Sequence, residues 1–326
     1  SNENPLGPSH RALEAARRSL DQIHLYPDGA GFELKHALAD NLGVSSDRIT
    51  LGNGSNDVLE LVARAYLQPG DEAVFSEYAF AIYPLVTLGC SAKPVSVDSH
   101  LYGHDLAAMA DAITERTRVV FLANPNNPTG TWFNDQALDN FLARVPERVI
   151  VVLDEAYFEY VEESHYPDGL KRLDRYPNLV VTRTFSKIHG LAGLRVGYAV
   201  SHPQIADVLN RVRQPFNINA IAQAAAVAAL GDGEFVSQCR EKNQAGLTQL
   251  AGDLDALGIT YVSSVANFIL IKVGEGARVF EELQARGVIV RPMAPYGMPE
   301  WLRVTVGSRE QNETLLRELK VVLTLA

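Results

Sequence analysis

A chain that joins an amine to a carbonyl needs a lysine held among polar groups and close to a cation. The sequence has seven lysines, at 35, 93, 171, 187, 242, 272 and 320. Lys187 stands apart: it closes Thr184-Phe185-Ser186-Lys187 at a strand end and precedes Arg195 by eight residues. A partly desolvated ammonium beside another cation loses its proton and becomes a nucleophile, as a Schiff-base lysine must. A solvated loop lysine is the alternative. Asp154 ends the apolar run Val149-Ile150-Val151-Val152-Leu153. Burying that carboxylate is costly without a cationic partner, so it reads as the partner of a protonated ring nitrogen or as a turn aspartate. Tyr157, three residues on, could donate to a phenolate oxygen. Asn127 sits in the proline-bracketed turn Asn124-Pro125-Asn126-Asn127-Pro128-Thr129-Gly130, where an Asx turn is the simpler reading.

Anion-binding groups accompany them. In Gly52-Asn53-Gly54-Ser55-Asn56-Asp57 a glycine turn opens a helix, and backbone N–H groups at a helix start attract anions. The turn lacks the lysine of a phosphate-binding P-loop and the spacing of a dinucleotide fingerprint. Ser186 and Arg195 could complete a phosphate cradle. Leu302, Val304 and Val306 share one strand face, so Arg303 points to the other, where its fork would suit a carboxylate. His100 and His104 flank Tyr102-Gly103, which breaks a helix, so no metal site is expected. There is no Gly-x-Ser-x-Gly elbow for a serine hydrolase.

The elements that must carry these residues alternate. Strand patterns fall at 71–76, 93–97, 117–123, 147–154, 178–184 and 195–200, with helices at 56–67 and 134–144 between them. Continuous apolar strands are those buried on both faces, so the class is α/β with a mainly parallel sheet covered by helices on both sides. Ligands of such sheets bind at the carboxyl ends of the strands, where Asn127, Asp154 and Lys187 lie. The apolar stretch 220–230 reads as a core helix. A long helix over 234–257 is followed by strands at 261–265, 267–273, 288–291 and 302–306, a helix at 277–286 and a closing helix to Leu325. This places a large domain at 26–232 and a smaller α+β domain at 233–326, with segment 1–25 packing on the small one.

Composition narrows the function. The 326 residues carry 29 Lys+Arg against 39 Asp+Glu, a net charge of −10, which disfavours nucleic acid. Two cysteines, Cys90 and Cys239, make no disulfide framework or metal motif. No apolar run reaches membrane-spanning length and no signal peptide is visible, so a cytoplasmic location is expected. The start at Ser1 without Met leaves room for a leading segment.

Taken together, 124–130, 154–157, Ser186-Lys187 and 190–195 resemble the pyridoxal-phosphate enzymes of the aspartate aminotransferase fold, in that family's order and over nearly the whole chain. Asn2-Glu3-Asn4-Pro5-Leu6-Gly7-Pro8, Tyr26-Pro27-Asp28-Gly29, 191–198 and Val290-Arg291-Pro292-Met293 resemble the histidinol-phosphate aminotransferase branch. The resemblance implies a seven-stranded-type large sheet and pyridoxal 5'-phosphate as cofactor. Lys187 would hold the cofactor covalently and shuttle the proton, and Asp154 would bind the ring nitrogen. Asn127 and Tyr157 would bind the ring oxygen, and Tyr78 would stack on the ring. Ser55, Asn56, Ser186 and Arg195 would hold the phosphate, with Thr184 assisting. Tyr26 would reach the neighbouring subunit's phosphate, making a homodimer with a shared active site. Arg303 would grip the substrate carboxylate, Arg291 would face the substrate phosphate, and Asn4 would close over the substrate. His189 stands where relatives commonly carry an aromatic, a change that could alter substrate fit. The implied reaction is transamination between glutamate and imidazole-acetol phosphate. The rivals are an aromatic amino-acid aminotransferase or a dual enzyme, a threonine-phosphate decarboxylase, and a non-catalytic cofactor-binding module.

Overall fold

The computed structural model describes residues 1–324, and the expected end of the closing helix at Leu325 lies outside them. Helices α1 (His10–Ser19) and α2 (Phe32–Leu42) precede strand β1 (Ile49–Gly52). There follow α3 (Ser55–Tyr66), β2 (Glu72–Ser76), α4 (Ile82–Gly89), β3 (Lys93–Val97), α5 (Leu106–Asp111) and β4 (Thr117–Ala123). Next come α6 (Asp135–Leu142), β5 (Ile150–Asp154), β6 (Leu179–Thr184) and β7 (Gly197–Ser201). These seven strands form one sheet in the order β1-β7-β6-β5-β4-β2-β3. Strands β2 to β6 pair in parallel, and β7 runs antiparallel to both β6 and β1.

The period of two along each buried strand sorts its side chains between two cores. In β5, Val151 and Leu153 join one apolar cluster with Leu138 and Phe141 of α6 and with Ala222, Ala225, Ala226 and Ala229. Ile150 and Val152 join the opposite cluster with Val58, Leu59 and Val62 of α3 and with Tyr83 of α4. The same parity puts Asp154 and Thr182 on the α3/α4 face and turns Glu155 and Arg183 to the other. Each apolar side chain buried in this way contributes roughly 1.5–3 kcal/mol.

After β7 come α7 (Pro203–Val212), α8 (Ala220–Leu230) and the long α9 (Gly233–Ala256). A second, four-stranded sheet then forms from β8 (Tyr261–Val262), β9 (Phe268–Lys272), β10 (Arg291–Pro292) and β11 (Trp301–Thr305), in the antiparallel order β10-β11-β9-β8. Helices α10 (Gly276–Ala285) and α11 (Arg309–Thr324) complete it. Its core joins Leu247, Leu250 and Leu254 of α9 to Ile269, Ile271, Leu302 and Val304 of the sheet and Leu315, Leu316 and Leu319 of α11.

Three sequence expectations change. Strand β1 was not expected: four residues before a glycine turn carry too little period-two pattern to stand out. Helix α4 was not expected either, because Pro84 lies in its first turn, where proline is tolerated. Segment 1–25 does not pack as a whole on the small domain. Ala12 of α1 is buried in the same cluster as the alanines of α8. Its first residues reach the small sheet, Asn2 at Thr305 and Asn267 and Leu6 in the cluster with Phe268.

Candidate active site

The carboxyl ends of β4, β5 and β6 open into a cleft of about 380 Å³ walled on its far side by β11 and the Arg291–Tyr296 segment. Asn127, Asp154, Tyr157, Thr184, Ser186, Lys187 and Arg195 all line it, with Ser55, Asn56, Arg291 and Arg303. Residues up to about 250 positions apart in sequence therefore converge because strand ends and one small-sheet strand face each other.

One end of the cleft is built for an anion. Helix α3 starts at Ser55, after Gly54 at φ +82°. That glycine is required twice: the backbone is left-handed, and a Cβ there would collide with the Arg195 guanidinium. Gly197 is equally constrained, since its Cβ would lie 2.5 Å from the Ser55 backbone nitrogen. Arg195 itself adopts φ +59°. Its Nη1 donates to the Ser186 hydroxyl at 3.2 Å and to the Ala192 carbonyl at 3.0 Å. Thr184 sits beneath, its hydroxyl accepting from the Ser186 backbone nitrogen at 3.1 Å. A helix start, a hydroxyl and a guanidinium together match a phosphate.

The other end holds a buried carboxylate. Asp154 is buried, with Oδ2 accepting from the Tyr83 phenol at 2.9 Å and Oδ1 from the Thr182 hydroxyl at 3.1 Å. Both partners are neutral. Burial raises the Asp154 carboxyl, while Tyr83, Thr182, the Ala156 backbone and the Lys187 charge pull it down. A desolvated carboxylate whose hydrogen-bond partners are neutral is suited to a protonated ring nitrogen.

Between the ends lies Lys187. Its Nζ donates to the Ser1 and Asn2 carbonyls at 3.1 and 3.4 Å and sits 5.4 Å from the Tyr157 ring centre. Tyr157 is held edge-on to Phe268, and its hydroxyl accepts from the Asn2 side chain at 3.0 Å. Arg303 donates to the Asn127 side-chain oxygen and lies over Phe268, 5.3 Å from its centre. Leu302, Val304 and Val306 all enter the small core, which turns Arg303 the other way, as their shared face requires. Burial lowers the Arg303 guanidinium, with Tyr157 and Tyr296 opposing and Arg291 adding to the fall. Its Nε is buried with no hydrogen-bond partner.

Of the expected residues, Tyr78 and Asn4 stand elsewhere. Tyr78 does not face the cleft. Its ring stacks on Tyr102 at 6.0 Å, in a cluster with Trp301, and its carbonyl is held by Asn126. Phe80, two residues on, lines the cleft instead. Asn4 is also turned away: its amide donates to the Ile188 carbonyl at 2.7 Å and to the Cys239 sulfur. Asn2 instead lies against Tyr157 and Lys187, its amide donating to the Tyr157 hydroxyl and its carbonyl accepting from Lys187 Nζ. Tyr26 is 83% exposed, stacks on Phe216 and does not line this chain's cleft. His189 is buried behind Phe185, 4.9 Å between ring centres, rather than at the substrate.

Sequence reasoning missed Asn2, Phe80, Tyr83, Thr182 and Tyr296. Thr182 carried a usable signal: it pairs with Asp154 in the β5–β6 register, which strand alternation alone places on one face. Beneath the sheet, the other face carries a buried ion pair. Arg183 Nε and Nη2 donate to Glu155 Oε2 at 2.9 and 2.7 Å, and Nη2 also meets Asp168 at 3.0 Å. No cluster of three or more His, Cys, Asp or Glu among the described residues could hold a metal ion.

The chain matches the aminotransferase class I and II family over residues 1–319. It is 57% identical to histidinol-phosphate aminotransferase 2 of Pseudomonas fluorescens over 324 residues, covering 99% of this chain and 88% of that protein. It is 56% identical to the Pseudomonas aeruginosa protein of the same name, with the same coverage. The crystal structure of Sinorhizobium meliloti histidinol-phosphate aminotransferase in complex with pyridoxal-5'-phosphate superposes with a TM-score of 0.94, at 29% identity, over 100% of this chain and 90% of that one. The cleft thus lies in a chain that belongs to the class I and II aminotransferases, among the histidinol-phosphate aminotransferases.

Proposed function

We propose that this protein binds pyridoxal 5'-phosphate and moves an amino group from glutamate to imidazole-acetol phosphate, giving 2-oxoglutarate and histidinol phosphate in two half-reactions. The observation that carries this reading is the single cleft joining an anion cradle, a lysine and a buried carboxylate, with two arginines on its opposite wall. The donor set fits the cofactor at both ends: Ser55, Asn56, Ser186, Thr184 and Arg195 at its phosphate, and Asp154 at its ring nitrogen. When bound, the cofactor ring withdraws electrons from the substrate Cα.

The protein's own groups supply the rest. Lys187 Nζ would hold the cofactor covalently in the resting enzyme; once the substrate amine has replaced it there, the freed Lys187 amine would take the proton from the substrate Cα and return it at the cofactor carbon to which the lysine had been joined. Asp154 holds the ring nitrogen protonated. Asn127 and Tyr157 orient the ring through its hydroxyl oxygen, and Phe80 lies against the cleft in the position expected of Tyr78. Asn2 covers Lys187 and Tyr157. Arg303 binds the glutamate carboxylate, and Arg291 adds charge for the phosphate of the second substrate.

This reading includes a cytoplasmic homodimer, a large unit at 26–232 and a small one at 233–326. Ile23, Leu25, Tyr26 and Phe32 are exposed apolar side chains of one short segment, which a second copy would cover. Tyr26 would then reach the partner subunit's phosphate cradle. Among the described residues no helix is long and apolar enough to cross a membrane.

The test compares acceptors with glutamate as donor. Imidazole-acetol phosphate should exceed phenylpyruvate in kcat/KM by roughly 10–100-fold, the effect of one or two charge-assisted hydrogen bonds to phosphate. Equal efficiency would establish the aromatic aminotransferase reading instead. Release of CO₂ without a keto-acid partner would establish the decarboxylase.

A further inference from the structure

Tyr83 is fully buried at the start of α4 and stacks on Phe121 of β4, with centroids 4.8 Å apart and planes 3° from parallel. Phe80 packs edge-on against it at 5.9 Å. Two aromatic contacts thus fix the phenol so that its hydroxyl meets Asp154 Oδ2 at 2.9 Å. Among the described residues its side chain makes one hydrogen bond, to the carboxylate assigned to the ring nitrogen.

We propose that Tyr83 is a positioning residue that acts on the cofactor through Asp154, keeping that carboxylate ionised so that the ring nitrogen holds the proton they share. The inference rests on the assignment of Asp154 to the ring nitrogen.

The physical argument concerns where one proton sits. In a dry site, a carboxylate beside a protonated ring nitrogen can take the proton and leave two neutral groups. A hydrogen bond donated to the carboxylate stabilises its charged form and opposes that transfer. Asp154 has such a donor on each oxygen, Tyr83 from α4 and Thr182 from β6. The Ala156 backbone donates from its own strand end, and the Lys187 charge acts from the loop after β6. Tyr157 is the remaining titratable group beside Tyr83. Burial, with Asp154 next to it, pushes the Tyr83 phenol well above its ordinary range, so it remains a donor throughout the working pH range. Loss of the hydroxyl moves the proton toward Asp154 and leaves the ring less electron-poor.

The test uses the holoenzyme and Tyr83→Phe, which keeps both aromatic contacts and removes only the donor. The readout is the pH midpoint of the bound cofactor's visible absorbance, which reports the charge on the ring. The midpoint should rise by about one pH unit, the scale of one hydrogen bond to a charged group. The kcat should fall about tenfold with KM for glutamate unchanged, because the electronic effect acts after binding. Phe121→Leu loosens the stack but keeps the hydroxyl, and its midpoint should stay at the wild-type value. A Tyr83→Phe enzyme that binds cofactor and titrates at the wild-type midpoint would overturn the inference. If Tyr83→Phe does not retain cofactor, Thr182→Val carries the test: an upward midpoint supports the inference and an unchanged one overturns it. Failure of the underlying assignment is distinguishable, since Asp154→Asn would then leave the wild-type midpoint in place.

Discussion

Arg291 and Arg303 stand directly opposite each other across the antiparallel β10–β11 pair, and both line the cleft. Like charges placed so are mutually destabilising, and their side chains leave the strands about 4.5–5.5 Å apart. The arrangement makes sense when the substrate brings negative charge. Arg303 is the buried member, held by Asn127, and Arg291 is exposed at the rim. Arg303→Gln should lower kcat/KM for glutamate by roughly 10–100-fold. Arg291→Gln should weaken the half-reaction with the phosphorylated substrate more than that with glutamate. Single-turnover rates for each half-reaction measure both effects, and equal losses in the two for Arg291→Gln would contradict the division of labour.

Lys187→Ala should leave the fold intact, because among the described residues the side chain's hydrogen bonds go only to the Ser1 and Asn2 carbonyls. Visible absorbance from covalently held cofactor should vanish, and turnover should fall on the order of 10⁴-fold, the upper range for a lost proton-transfer group. Absorbance spectra and steady-state rates on the same preparation check it. Retained covalent cofactor would place the attachment at another lysine.

Arg183→Met should be strongly destabilising although it touches no substrate. The Arg183–Glu155 pair is almost wholly buried, with Phe158 packed against the guanidinium at 3.5 Å. Burial raises the Glu155 carboxyl and the Arg183 charge opposes it. Removing the cation leaves a buried carboxylate without its counter-charge, a loss of about 3–5 kcal/mol. Arg183→Met combined with Glu155→Leu should recover most of that. Urea unfolding of the single and double variants decides it.

His189 makes stability depend on acid pH. Burial lowers its pKa from the ordinary 6.5 to about 4, and its Nδ1 has no hydrogen-bond partner. Between those two values the unfolded chain holds a proton that the folded chain does not. Its contribution is therefore complete above about pH 6.5 and is lost as pH falls toward 4, in total about 3 kcal/mol. His104, lowered to about 4 by burial as well, adds to the same slope. His189→Phe should fill the site beside Phe185 and make the melting temperature fall less between pH 7 and pH 4.5. A slope identical to the wild type would show that the ring does not titrate between folded and unfolded chains.

Much of this enzyme was legible along one dimension. Apolar runs such as 149–153 announce strands buried on both faces, and the polar residues that end them mark the binding edge. Lys187, Asp154 and Asn127 could be picked out because each lies just beyond such a run, and Arg195 because it opens the next strand eight residues after Lys187. The outward turn of Arg303 followed from three alternate apolar neighbours. What sequence could not decide was which of several near neighbours faces the cleft. Tyr78 and Phe80 are two residues apart in an irregular turn after β2, where no period applies, and packing on Tyr102 took the first while the cleft took the second. Asn2 and Asn4 differ in the same way, since an extended terminus is oriented only by what it docks on: Tyr157 and Thr305 for one, Ile188 and Cys239 for the other. Local pattern determines an element's faces because the backbone period is fixed. The direction of a loop side chain, and the meeting of Tyr83 with Asp154 across 71 residues, are settled only when the cores close.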